Sequence, residues 1–223
     1  RISPHGIVGS FGSGMLSGAV FATASVYATT VGMPVSEVAI FVSAGILGGL
    51  VMQWPLGKLS DLFDRRTVLT ASLFAAAALG AVLAFAPGLG FWPFVILAGA
   101  YGGVAVTLYS IAVAHANDHI DAADLVAASA GLLLAYSLGA VIGPIAATNA
   151  MGLVGPWGFY GFGTTVALAV GLFAVWRMTR RPAPEDQSPF VAMPRTSPAV
   201  SELDPRAETP EDDEAPTNQT SPA

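Results

Sequence analysis

The sequence predicts an all-α fold: a polytopic membrane bundle of six transmembrane helices followed by a disordered tail. Of the 223 residues, 53% are hydrophobic and 11% are charged, whereas a soluble domain carries about 25% charged residues. The apolar residues fall into six long runs, and a run of about 20 apolar residues spans the roughly 30 Å of hydrocarbon in a bilayer. A soluble domain would have to hide all these runs in one small core.

Turn-forming or charged segments separate the apolar runs and define the elements in order. The breaks lie at residues 32–34, 57–66, 87–90, 115–121 and 152–156. The predicted spans are residues 7–31, 38–56, 67–86, 91–114, 125–148 and 157–176, all within a bundle of residues 1–180.

The basic residues support a count of six spans. With six spans, all nine Lys and Arg residues fall on one side of the membrane, and the loops after spans one, three and five contain none. Cytoplasmic loops carry the excess of Lys and Arg. We therefore predict a multi-pass protein of the bacterial inner membrane, the plasma membrane, with both termini in the cytoplasm.

Residues 181–223 differ in composition from the bundle. They hold nine of the sixteen prolines, and nine acidic against three basic residues, which accounts for the whole net charge of −6. Such a segment buries too little apolar surface to offset the entropy of ordering. We expect a disordered, acidic, Pro-rich cytoplasmic tail.

The chain contains no cysteine, which excludes disulfides and sulfur ligation of a metal. A His115-x-x-Asp118-His119 pattern stands at the end of span four, where a polar loop is expected rather than a metal site. We expect neither a metal nor a cofactor, and the composition shows no nucleic-acid-binding pattern. Asp118 and His119 are instead candidate gate residues.

Charges after the second span carry the most specific signal. A carboxylate at Asp61 can accept hydrogen bonds from the N-terminal N–H groups of a neighbouring helix, and Arg65 and Arg66 can pair with it or with lipid phosphates. Gly57 lets the helix end approach its neighbour. Such a contact exists only when two helix ends meet, so we predict that these four residues form a conformational latch.

This spacing resembles the signature loop of the major facilitator superfamily, G-x-x-x-D-[RK]-x-G-[RK]-[RK], in the form Gly57-x-x-x-Asp61-x-x-x-Arg65-Arg66. Two positions depart: Leu62 stands where a basic residue is usual, and Asp64 replaces a Gly. The weaker form resembles the copy in the second half of such transporters. The resemblance covers about residues 1–180, is nearest to bacterial drug- or sugar-transporter-like members, and implies the C-terminal half of a twelve-helix fold.

Span five carries a second pattern, Gly139-x-x-x-Gly143-Pro144. It resembles a motif in the fifth helix of superfamily antiporters, and here it would lie in the eleventh helix. Small residues four apart are also ordinary packing devices in membrane helices, and Pro kinks are common there. We predict a helix-packing or hinge role for these three residues.

Neutral polar residues within the spans are candidates for a substrate cavity. The resemblance implies that spans one and four line the central cavity, where Ser and Thr can equally bond to a carbonyl of their own helix. No Asp, Glu, Lys, Arg or His lies deep in a span, so a coupling carboxylate would lie in another part of the protein or be Glu37 or Asp118 at a membrane edge. The candidate cavity residues are Ser13, Ser17, Tyr27, Gln53, Tyr101, Thr107, Tyr109 and Tyr136.

The resemblance implies secondary active or facilitative transport of a small solute by alternating access. The expected partners are that solute, the lipid bilayer and a missing N-terminal six-helix half, with a coupling proton or cation left open. Because residue 1 is Arg rather than Met, we expect a piece of a longer chain, a processed one or a half that dimerises. The membrane domain of an ATP-driven transporter, or a channel, is the alternative.

An enzyme is not expected. An intramembrane serine protease needs a G-x-S-G nucleophile and a His base within the membrane. The sequence Phe11-Gly12-Ser13-Gly14 breaks that pattern, and no span contains a central His.

Overall fold

The computed structural model describes residues 4–85, 88–117 and 125–180. Within these ranges every regular element is an α-helix, and six of them are long and apolar enough to cross a membrane. The predicted polytopic helix bundle is therefore confirmed. The predicted tail and the gate pair Asp118 and His119 lie outside the described residues. The helices are α1 (Pro4–Thr30), α2 (Val35–Leu62), α3 (Arg65–Phe85), α4 (Phe91–Asn117), α5 (Leu125–Val154) and α6 (Gly158–Met178).

Two helices extend well beyond the predicted spans. The second continues to Leu62 and the fifth to Val154, with Pro55 and Pro144 inside them. Apolar runs mark the hydrocarbon boundary, but a helix can continue into the polar surface layer because its backbone hydrogen bonds do not depend on hydropathy. The predicted loop at residues 57–66 is therefore wrong in its extent, since only Phe63 and Asp64 separate α2 from α3.

The turn after α1 depends on Gly32, whose φ is +81°. The N–H of Gly32 donates to the carbonyl of Thr29 at 3.1 Å, and the N–H of Met33 donates to that of Ala28 at 3.0 Å. This pair of bonds satisfies the last carbonyls of the helix in a Schellman motif, where a left-handed residue is needed and Gly is favoured.

The helices pair in a pattern that repeats after three elements. The most extensive interfaces are α1 with α5, α2 with α4, and α3 with α6, and α1 also packs on α4. Suppose that α1 is exchanged with α4, α2 with α5, and α3 with α6. The α1–α5 interface then becomes the α4–α2 interface, and the α3–α6 interface is unchanged. Two three-helix units related in this way have inverted topology in the membrane. The central pair, α1 and α4, holds most of the buried residues.

Glycines bring the backbones of α1 and α5 into direct contact. A Cβ at Gly139 would fall on the carbonyl oxygen of Phe11, and one at Gly143 on that of Met15. From the other side, a Cβ at Gly14 would fall on the carbonyl oxygen of Tyr136. Small residues four apart permit such close approach in membranes.

Glycines also bring the backbones of α2 and α4 into direct contact. A Cβ at Gly48 would fall on the carbonyl oxygen of Gly99, and one at Gly103 would lie 2.5 Å from the carbonyl oxygen of Gly48. The two equivalent interfaces of the repeat are thus both built on backbone contact.

Candidate functional site

The latch residues lie at one end of the bundle, which we call the basic end. Here α2 runs into α3, α4 and α6 end, and α1 begins: the guanidinium of Arg65 contacts α4, Thr70 contacts Met178 of α6, and Gly6 packs on Ala116. All basic residues in the described part of the chain belong to this end. They are Lys58, Arg65, Arg66, Arg177 and Arg180.

Arg65 is the centre of this end. It is the first residue of α3 and is 1% exposed. Its Nη1 donates to the carbonyl oxygen of Ala114 at 3.2 Å, and its Nη2 lies 3.6 Å from Oδ1 of Asp61. One guanidinium therefore connects the last turn of α2, the first turn of α3 and the last turn of α4. A cation near the C-terminal carbonyls of α4 also complements the helix dipole.

Asp61 differs from Arg65 in exposure. Its side chain is 43% exposed while that of Arg65 is 2% exposed. The carboxylate thus lies at the edge of the bundle, where a second helix end can reach it. Gly57, one turn earlier on α2, is buried.

Asp64 has a local role that the sequence comparison with the signature loop did not reveal. Its Oδ1 accepts from the backbone N–H of Arg66 at 2.9 Å and lies 3.7 Å from Nε of the same residue. An Asp immediately before a helix satisfies an N–H that has no partner within the helix. Asp64, which replaces the Gly of the signature loop, is therefore the N-cap of α3.

Two further cations at the basic end stack on tryptophans. Lys58 Nζ lies 5.5 Å from the ring centroid of Trp54, and the guanidinium carbon of Arg180 lies 5.8 Å from that of Trp176. Both tryptophans are more than half exposed. This pairing is typical of side chains at a membrane–water interface.

The Ser and Thr candidates lie between α1 and α4. Ser13, Ser17 and Thr107 are all 0% exposed. Ser17 Oγ donates to the carbonyl of Ala105 at 3.0 Å, whereas Ser13 and Thr107 donate to carbonyls of their own helices at 2.8 Å each. In this arrangement these hydroxyls serve packing, and their role in a substrate cavity stays a prediction.

Tyr109 and Tyr136 meet across α4 and α5. Their ring centroids lie 4.5 Å apart, and both side chains are buried in a cluster with Val113 and Leu132. The cluster covers the first turns of α1 at Gly6. Gln53 lies apart from it on α2 and is partly buried. The structure therefore joins two of the candidate cavity residues at the basic end of the bundle.

Tyr27 and Tyr101 lie towards the opposite end, in an aromatic cluster that sequence reasoning missed. Tyr160 joins them, with ring centroids 5.1 Å from Tyr27 and 5.5 Å from Tyr101. Phe94 and Phe159 stack on Tyr27 at 6.2 and 5.3 Å. The available signal was the presence of aromatic residues near the outer ends of several spans, but span positions alone do not show which rings meet.

Comparison with known proteins decides the family. The sequence profile of the Major Facilitator Superfamily matches residues 6–211, which is most of the chain. The chain belongs to the major facilitator superfamily. The matched region contains the six helices, the basic end and the glycine interfaces described above.

Curated proteins named as MFS-type transporters are similar to part of the chain. The chain is similar to the uncharacterized MFS-type transporter YcaD of Salmonella arizonae, with 34% identity over 148 residues. The YcaD proteins of Salmonella paratyphi B and Salmonella newport match with 35% identity. Each alignment covers 62% of this chain and 35% of the relative. The chain thus spans about a third of the length of the curated relatives it matches.

Proposed function

We propose that this chain is one half of a carrier that moves a small solute across the bacterial inner membrane by alternating access. The observation that carries the proposal is the paired interface pattern, α1 with α5 and α4 with α2, in a chain of the major facilitator superfamily. Inverted three-helix units nested in a six-helix half are the architecture on which such carriers rock about a central site. A second six-helix unit is the proposed partner.

The basic end supplies the proposed latch. Arg65 is held from two sides, by Asp61 and by the carbonyl of Ala114, so it aligns the ends of three helices. The half-exposed Asp61 carboxylate is proposed to accept in addition from the N-terminal N–H groups of a helix from the second half. Docking of that helix favours the arrangement closed at the basic end, and its release permits the opposite arrangement.

The substrate path is proposed to run along α1 and α4. On the basic-end side the ring pair of Tyr109 and Tyr136 joins α4 to α5 next to Gly14 of α1, and its separation would open the path on that side. No Asp, Glu, Lys or Arg lies in the middle of a described helix, so any ion coupling would use carboxylates at helix ends of this half or carboxylates of the second half.

Counterflow tests the proposed function. Proteoliposomes of the protein joined to its second half are loaded with unlabelled candidate solutes and placed in trace labelled solute, with sugars, carboxylates and organic cations as the panel. A carrier that alternates between two sides accumulates label transiently against its gradient, without ATP. Equilibration without overshoot for every transported solute would indicate a channel, and a strict need for ATP would indicate an ATP-driven transporter.

The proposed orientation places the basic end in the cytoplasm. Since the chain has no cysteine, single cysteines can report it without background. Val35→Cys lies at the opposite end and is 88% exposed, whereas Leu62→Cys lies at the basic end and is 67% exposed. We expect a membrane-impermeant maleimide to label the first variant in intact cells and the second only after permeabilisation. The reverse pattern would contradict the orientation.

A further inference from the structure

A cavity of about 590 Å³ opens at the end of the bundle opposite the basic end. It lies among the C-terminal ends of α1 and α3 and the N-terminal ends of α2, α4 and α6. Its walls include Tyr27, Glu37, Phe91, Phe94 and Trp157. The volume falls in the range of small-molecule sites, which are mostly apolar with a few polar groups.

The floor of this cavity is fixed by ring contacts. Tyr27 is 7% exposed and packs against Phe94, Phe159 and Tyr160. Phe94 stacks in turn on Phe41 with ring centroids 5.7 Å apart. Rings from four helices, α1, α2, α4 and α6, thus hold one another in place, so a ligand meets preformed aromatic surfaces.

Glu37 is the charged group of the cavity. It lies in the first turn of α2 and is partly buried. Every Lys and Arg in the described part of the chain belongs to the basic end, and Asp61 and Asp64 are there as well. The described residues around the cavity therefore carry one negative charge and no positive one.

We propose that this cavity binds an organic cation that carries apolar or aromatic groups. Aromatic faces attract a cation electrostatically, more strongly where water is excluded, and the Glu37 carboxylate adds a charge of the opposite sign. An anion of the same shape would meet that carboxylate and the negative faces of the rings. The site therefore selects by charge as well as by shape.

This site rests on the proposed path along α1 and α4, whose ends opposite the basic end it lies between. Binding to it needs no transport, so it is measured at equilibrium on the purified protein. A failure of counterflow would leave the binding result unchanged, and a failure of binding would leave the carrier proposal unchanged.

The fluorescence of Trp157, which lines the cavity, reports binding. The protein in phosphatidylethanolamine nanodiscs, which carry no net lipid charge, is titrated with tetraphenylphosphonium while tryptophan fluorescence is followed. Tetraphenylborate serves as the probe of inverted charge and nearly identical shape. We expect saturable binding of the phosphonium and at least tenfold weaker binding of the borate. Glu37→Gln should weaken phosphonium binding about tenfold, whereas Glu37→Asp should retain most of it.

Matched variants assign the signal to this cavity. Trp157→Phe should remove the fluorescence change, while Trp92→Phe should keep it because Trp92 is 63% exposed and does not line the cavity. Ser36→Ala, at the exposed position beside Glu37, should bind as the wild type does. If Glu37→Gln misfolds, as judged by gel filtration, the Glu37→Asp and tryptophan variants still decide the question.

Three results would overturn the proposal: equal binding of the two probes, full binding by folded Glu37→Gln, or an unchanged fluorescence signal in Trp157→Phe. The same cationic chemistry occurs in free organic cations and in the choline head group of a lipid. Adding phosphatidylcholine to the nanodiscs distinguishes them, because competition with the phosphonium assigns the site to the head group and its absence assigns it to a free cation.

Discussion

Replacement of Gly143 by Leu is expected to disrupt the bundle more than any other single change we consider. A Cβ at this position would fall on the backbone carbonyl of Met15, and backbone atoms cannot rotate away as a side chain can. The helices α1 and α5 would have to separate along a contact that also includes Gly14, Gly18 and Gly139. Overpacking costs typically about 1–3 kcal/mol and occasionally more, and we place this variant at the upper end.

The measurement is the apparent melting temperature in detergent, which we expect to fall by roughly 10 °C for a loss of about 3 kcal/mol in a chain of this size. Gly152→Leu is the matched control, because it lies on the same helix and a Cβ there meets nothing within 4 Å. It should melt within about 2 °C of the wild type. Equal destabilisation by the two variants would show that helix propensity or composition, rather than the α1–α5 contact, is responsible.

The six helices could be predicted because each membrane crossing depends only on residues that are consecutive in the sequence. About 20 consecutive apolar residues are needed for each crossing, and that length can be counted along the sequence. The helix ends could not be predicted in this way. Residues 57–62 are polar enough to suggest a loop, but they continue α2 because the surface layer tolerates charged side chains on a helix.

The site was less predictable because its contacts join distant segments. Helical spacing puts Ser10, Ser13 and Ser17 on one face of α1, and all three are buried. Spacing does not tell whether that face meets a cavity or a neighbour, and here Ser17 bonds to Ala105 of α4. The bond from Arg65 to the carbonyl of Ala114 joins residues 49 positions apart, and no local pattern indicates which carbonyl a guanidinium will reach.

The contact between the glycines of α2 and α4 could not be predicted from the sequence either. Helical spacing puts Gly99 and Gly103 on one face of α4, but it does not pair them with Gly48 of α2. The pairing becomes intelligible only through the inverted repeat, which makes α2–α4 the counterpart of α1–α5. Once one of the two interfaces is known, the position of the other follows from the repeat.

Neutralising Asp61 is expected to slow transport while leaving the folded bundle intact. Asp61→Asn removes the charge that lies 3.6 Å from the buried Arg65 guanidinium, so we expect some loss of stability. Arg65 keeps its bond to the carbonyl of Ala114, and the bundle should still fold. The docking of a helix end from the second half would lose its charged acceptor. A shift of about 1.4 kcal/mol in the balance between the two arrangements changes their ratio tenfold, and we expect about a tenfold drop in counterflow.

Asp64→Asn is the matched control for this prediction. It makes the same chemical change three residues away, and Asn caps a helix about as well as Asp, so the bond to the N–H of Arg66 is preserved. We expect both variants to insert and fold, with a lower melting temperature for Asp61→Asn, and only Asp61→Asn to slow counterflow. Wild-type counterflow by Asp61→Asn would contradict the latch hypothesis, because it would show that transport does not need the Asp61 charge. Equal slowing by both variants would show that the charge of the α2–α3 connection, rather than a specific contact of Asp61, controls the rate.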